Sequence, residues 1–148
     1  MKKLLVLLFL LLSEFIFGQD RMSFEGLEFT LPQSIFEDGL VDNGWRWTED
    51  YCYRGTWLEN ERDLKLEWNG DNLEKLTLIY VAKSKHEATS DFYNILDYYK
   101  NLPSWKISKH YRILYQGKNE IVLKVIYNKT IVEFIDIENE NIQINQNN

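Results

Sequence analysis

Residues 45–57 read Trp45-Arg46-Trp47-Thr48-Glu49-Asp50-Tyr51-Cys52-Tyr53-Arg54-Gly55-Thr56-Trp57, and their alternation decides the fold class. The odd positions carry Trp45, Trp47, Tyr51, Tyr53 and Trp57, interrupted by Glu49 and Gly55; the even positions carry Arg46, Thr48, Asp50, Cys52, Arg54 and Thr56. Successive residues of a β-strand point to opposite faces, so a period of two predicts a strand with one apolar face. Residues 45–57 are long for a single strand, and a bend is expected near Glu49 and Asp50.

Downstream, Leu64, Leu66 and Trp68 alternate with Lys65 and Glu67, and Asn69-Gly70 supplies residues that accept the positive φ of a hairpin turn. Residues 76–82 place Leu76, Leu78 and Tyr80 on one face and Ile79 and Val81 on the other, which predicts a strand buried on both sides. Ser84 and Glu87 have capping-box spacing. Ala88, Phe92, Ile95, Leu96, Tyr99 and Leu102 then recur at steps of three and four, giving an amphipathic helix that Pro103 ends. Residues 106–115, 121–127 and 131–137 read as three further strands, with turns at 116–119 and 128–129. Upstream, residues 27–31 alternate weakly and stop at Pro32. No internal repeat is visible. Strands, one helix and strands again, with short connections, predict an α+β class. The expected architecture is a single domain, mainly an antiparallel β-meander with one amphipathic helix packed on the sheet. A parallel doubly wound sheet would need more helices.

The chain start is a separate object. Lys2 and Lys3 precede the unbroken apolar run 4–12, and Gly18 precedes Gln19-Asp20. A basic start, a short apolar core and a small residue at the cut describe a secretory signal peptide over residues 1–18. The run is too short to span a bilayer, which takes about 20 apolar residues. The expected division is 1–18 signal peptide, 19–138 a single α+β domain, and 139–148 a polar, frayed tail in which Asn and Gln dominate. Without residues 1–18, which carry one net positive charge, the formal net charge of −6 becomes −7. An acidic exported domain is a poor partner for nucleic acid or anionic lipid, and no membrane insertion is expected after cleavage. Charge is unevenly spread: residues 37–75 are rich in acids and residues 83–129 in bases, which folding can bring together to neutralise one another. A single cysteine, Cys52, excludes an internal disulfide and favours a bacterial envelope protein, in periplasm or outside the cell, over a disulfide-stapled one.

Several residues invite chemistry. Trp45, Trp47, Tyr51, Tyr53 and Trp57 would form one row of amphipathic rings near Glu49, Glu59, Glu61 and Asp63, able to stack on sugars or on the apolar side of a peptide. The competing expectation is that the rings are the core face of the sheet. His110 is expected on a solvent-facing strand position among bases, and His86 in the first helical turn. Two scattered histidines and a distant cysteine do not supply the three or four ligands of a metal site, and no cofactor is expected. Either histidine, with a carboxylate or with Cys52, would suit a small hydrolase only if the fold brought them together. Cys52 is expected to be a half-buried small residue, and Glu59, Glu61 and Asp63 to belong to a solvated acidic turn containing Asn60 and Arg62. The leading expectation is a non-enzymatic binding or inhibitory module that uses the aromatic and acidic face on another envelope protein or a glycan. A small hydrolase and a structural subunit of an envelope assembly are the alternatives.

Overall fold

The computed structural model describes residues 21–110 and 112–136. The proposed signal peptide and the polar tail lie outside these residues, as does Tyr111. The strands are β1 (Ser23–Phe24), β2 (Leu27–Glu28), β3 (Arg46–Trp47), β4 (Tyr53–Trp57), β5 (Asn60–Asn69), β6 (Asn72–Val81), β7 (Lys106–Ile107), β8 (Ile113–Gln116), β9 (Asn119–Ile126) and β10 (Lys129–Asp136). The helices are α1 (Gln33–Asp42) and α2 (Lys85–Lys100). Strands β1 and β2 form a small hairpin; the rest make one antiparallel sheet in the order β3-β4-β5-β6-β10-β9-β8-β7. Each half is a helix followed by a four-strand meander, and the last strands of the halves, β6 and β10, pair at the centre.

Short turns build the meanders. Gly70 and Gly117 take positive φ at the first central position of the β5/β6 and β8/β9 hairpins, the position that glycine favours in two-residue turns. The β5/β6 turn is thus centred on Gly70-Asp71, one residue beyond the expected Asn69-Gly70. The β4/β5 turn is less usual: Leu58 and Glu59 both adopt positive φ, 46° and 69°, a conformation that costs a side-chain-bearing residue about 1–2 kcal/mol.

One face of the sheet carries the core. Leu64, Leu76, Leu78, Ile121, Leu123 and Val132 are buried there beneath α2, which contributes Ile95, Leu96 and Tyr99. Near β1, Phe24 meets Trp45, Trp57 and Phe134 with ring centroids 5.3–6.2 Å apart. The Trp45 ring lies against the β4 backbone at Gly55, where a Cβ would stand 2.7 Å from Trp45 Cδ2. A bulge opposite Glu67 and Trp68 shifts the register, so Leu73 and Leu76 face the same core despite their odd spacing.

The structure corrects several expectations. Among the described residues there are two helices, not one; α1 buries only Phe36 and Leu40, while Ile35 and Val41 point outward, so its apolar pattern is weak. Residues 45–57 form two strands separated by the loop 48–52 rather than one bent strand, and 106–115 likewise divides into β7 and β8. Strand β6 is fully packed on one face only: on the other, Thr77 is buried but Ile79 is half-buried and Val81 is 55% exposed. Among the described residues neither helix covers that second face, which carries cross-strand ion pairs Arg54–Asp63 at 2.7 Å and Lys75–Glu67 at 2.9 Å. Asn60, Glu61, Arg62 and Asp63 belong to β5 and not to a solvated turn.

Arg62 sits in the core phase of β5 and is 1% exposed. Its Nη1 and Nη2 donate to Asp91 Oδ2 and Oδ1 at 2.9 and 2.6 Å, and its Nε donates to the Trp57 carbonyl at 3.1 Å. Asn60 Nδ2 donates to Asp91 Oδ1 at 2.8 Å. The guanidinium also lies against the rings of Trp57 and Tyr80, 5.2 and 5.5 Å from their centroids. This cluster ties α2 to β5 and anchors the carbonyl at the start of the strained β4/β5 turn. At the helix start, Ser84 Oγ accepts from the Glu87 amide, as its spacing predicts. Glu87 accepts from Tyr80 Oη at 2.7 Å and from the Lys83 amide at 2.8 Å, rather than from the amide of Ser84.

Removing one member of a buried, hydrogen-bonded ion pair leaves the other charge uncompensated, at a cost of about 3–5 kcal/mol. Asp91→Ala is therefore expected to lower unfolding free energy by about that amount in urea titration, and the double change Arg62→Met with Asp91→Leu to recover much of it. A loss below about 1 kcal/mol for Asp91→Ala would show that the pair is not what holds the helix.

Candidate functional site

The five rings singled out by the alternation do not share a fate. Trp45, Tyr53 and Trp57 are buried in the core, whereas Trp47 is 59% and Tyr51 84% exposed. The division follows from the loop 48–52, which takes Tyr51 out of strand phase. Thr48 closes that loop, its amide and hydroxyl both donating to the Cys52 carbonyl at 2.9 and 3.0 Å. Tyr51 adopts φ 57°, a left-handed conformation that is uncommon for a bulky aromatic residue. The loop thus projects a strained, solvated tyrosine beside Trp47. The Trp47 ring in turn meets the Tyr53 ring edge-on at a centroid distance of 4.9 Å.

Helix α1, which the sequence pattern did not disclose, completes this edge. Gln33, Glu37, Trp47, Tyr51, Tyr53 and Trp68 line a shallow hollow of about 200 Å³ together with Cys52 and part of β5. Gln33 Nε2 donates to Glu37 Oε1 at 2.9 Å, and the Glu37 carboxylate is close enough to the Tyr53 hydroxyl to raise its pKa. The Trp68 indole Nε1 is covered and makes no hydrogen bond among the described residues, a cost of about 1–3 kcal/mol for a buried donor. Two exposed ring faces, a carboxylate and an amide therefore converge at one edge. Glu49 and Glu59 are exposed, and Glu61 lies across from Arg46 at 3.9 Å on the opposite face of the sheet, so the acids expected beside the rings are replaced by Glu37.

Cys52 is buried rather than half-buried, with its Sγ 3.3 Å from Thr48 Oγ1. His86 and His110 are both exposed, and among the described residues neither forms a hydrogen bond with a carboxylate or with Cys52. The geometry required by a His–carboxylate or Cys–His site is not assembled there. Among the described residues no group of three His, Cys, Asp or Glu side chains converges as a metal site, and no helix is long and apolar enough to cross a membrane. Comparison with protein-family models, curated proteins and solved structures finds no match to this chain.

Sequence reasoning missed Arg62, Asp91, Gln33 and Glu37. The first two carry a readable signal: Arg62 shares strand parity with Leu64 and Leu66, and Asp91 lies three residues after Ala88 and four before Ile95. Opposite charges at core positions of two elements imply a mutual partner.

Burial, and after it the carboxylate of Glu37, raises the Tyr53 hydroxyl above its usual value of 10.0; burial raises that of Tyr99 as well. Folding therefore retains protons that the unfolded chain releases, so this stability is intact below about pH 10 and is lost as pH rises past it. The urea midpoint is expected to hold steady up to about pH 9 and then to fall, with Tyr99→Phe shrinking the alkaline loss. A midpoint that stays level through about pH 11 would contradict this account of both tyrosines.

Proposed function

We propose that the chain is an exported bacterial envelope protein that works as a non-enzymatic binding or inhibitory module, with the edge formed by Trp47 and Tyr51 as its contact surface. The observation that supports this most is Tyr51: a solvated aromatic side chain held in a left-handed conformation by a closed loop. Strain of that kind is retained where the surrounding structure imposes it, and it concentrates at ligand-contacting segments. Exposed tyrosine and tryptophan supply contact energy with few rotamers to freeze. The neighbouring Gln33 and Glu37 add hydrogen-bonding groups suited to a polypeptide or a sugar. Trp45 and Trp57 belong to the core and have no part in this surface.

The test is a pull-down from host envelope extract with tagged residues 19–148, followed by a titration of whatever is captured. The double variant Trp47→Ala, Tyr51→Ala is expected to weaken binding by at least about tenfold while leaving the unfolding free energy within about 0.5 kcal/mol of the parent. Unchanged capture by that variant would remove the assignment of this edge. A glycan array run in parallel separates a sugar ligand from a protein one. Export is checked by N-terminal sequencing of the envelope fraction, where the chain is expected to begin at Gln19; recovery of Met1 there would contradict a cleaved leader.

A further inference from the structure

A second recess lies on the other half of the sheet, where β8 is too short to cover β9. Strand β8 pairs only with residues 119–122 of β9. One further bond follows, from the Leu123 amide to the Arg112 carbonyl at 2.7 Å. The β9/β10 hairpin closes on Ile126 and Lys129, so the amides of residues 124 and 126 turn toward β10, and those of residues 123 and 125 turn away from it. Val125 thus presents its backbone N–H and C=O to the gap, and no strand among the described residues lies beside it there.

The gap opens into a groove of about 490 Å³ that reaches the first turns of α2. That volume is in the range of small-molecule sites. Its apolar lining comes from Phe92, Leu123 and Val125, with the ring of Tyr93. Its charged lining is entirely basic: Lys85, Arg112 and Lys124, joined by His110. Lys124 is held by Glu133 at 2.6 Å, but Lys85 and Arg112 have no carboxylate within ion-pair distance among the described residues. The whole chain has a formal net charge of −6, so unpaired bases gathered in one concavity are a local reversal of its field. A recess lined by one sign of charge concentrates ligands of the other.

We propose that this groove binds an organic anion with an apolar body, of the aryl or alkyl carboxylate class. The carboxylate is held by Lys85 and Arg112, with His110 and the Val125 amide within the same recess, and the body packs on Phe92, Tyr93 and the Val125 side chain. Charge-assisted hydrogen bonds supply the selectivity and apolar contact the affinity. An acidic peptide adding a strand to β9 fits less well, because the free edge offers the backbone groups of one residue, Val125, and little ladder can form. The site is remote in sheet order from the Trp47 and Tyr51 edge, and neither reading depends on the other.

The experiment is an NMR titration of the 15N-labelled protein with 2-naphthoate, and with neutral 2-naphthamide as its charge-free counterpart. Saturable shifts are expected at Phe92, Tyr93, Arg112 and Val125, with 2-naphthamide binding about tenfold more weakly. Lys85→Gln and Arg112→Gln are each expected to weaken 2-naphthoate by about five- to tenfold and to leave the amide ligand unaffected. Both residues are exposed, and the dispersion of the unbound spectrum verifies that each variant is folded. Equal affinity for the two ligands, shifts confined to other residues, or a double variant that binds as the parent does would each overturn the proposal.

Discussion

Arg62 and Asp91 meet where neither can reach water, and that meeting sets where the helix lies on the sheet. A charge without a partner in such a place costs several kcal/mol, so any displacement of α2 along the sheet, or any slip of β5 by one residue, exposes the chain to that penalty. A one-residue slip would also carry Leu64 and Leu66 to the outer face, so the apolar pattern and the ion pair enforce the same register. The guanidinium contributes beyond the pair. By binding the Trp57 carbonyl it steadies a turn whose two central residues hold positive φ, and by lying between the Trp57 and Tyr80 rings it fills core volume that an aliphatic side chain would otherwise occupy.

Around that lock the molecule is two helix-plus-meander halves joined at β6 and β10, with one face of the sheet packed and the other carrying charge pairs. Such an arrangement leaves the ends of the sheet as the places where irregular backbone is possible, since the central strands are committed to ladders on both sides. Both candidate surfaces lie at such irregularities. In the first half the loop 48–52 interrupts the aromatic stretch and turns Tyr51 outward. In the second half β8 begins only at Ile113 and leaves Val125 without a neighbouring strand among the described residues. The Arg62–Asp91 pair joins the acid-rich segment 37–75 to the base-rich segment 83–129.

Much of this fold was legible in the residue pattern. The parity of Tyr53, Gly55 and Trp57, of Leu64 and Leu66, and of Leu76 and Leu78 matches the packed face, and Ser84 begins the long helix as its spacing with Glu87 predicts. Helix α1 was not legible, because ten residues that bury only Phe36 and Leu40, with Gly39 between them, carry too little periodicity. The half-exposed state of β6 was misread because Ile79 and Val81 are apolar, and an apolar residue on a surface leaves no mark in the sequence. The loop inside residues 45–57 was hidden for a similar reason: Thr48 and Cys52 continue the alternation while their backbone atoms bond to each other.

Local sequence determined the antiparallel class, the strand faces and the capped helix, because period, turn residues and caps act over a few neighbouring positions. Only the tertiary structure decided which rings are buried, which acid accompanies the exposed ones, and which cations lack a partner. Those outcomes depend on residues far apart in the chain: Trp45 on Gly55, Tyr53 beside Glu37, Arg62 on Asp91, and Val125 beyond the end of β8. Contacts of that kind are chosen by packing of the whole chain, and no short window of sequence contains them.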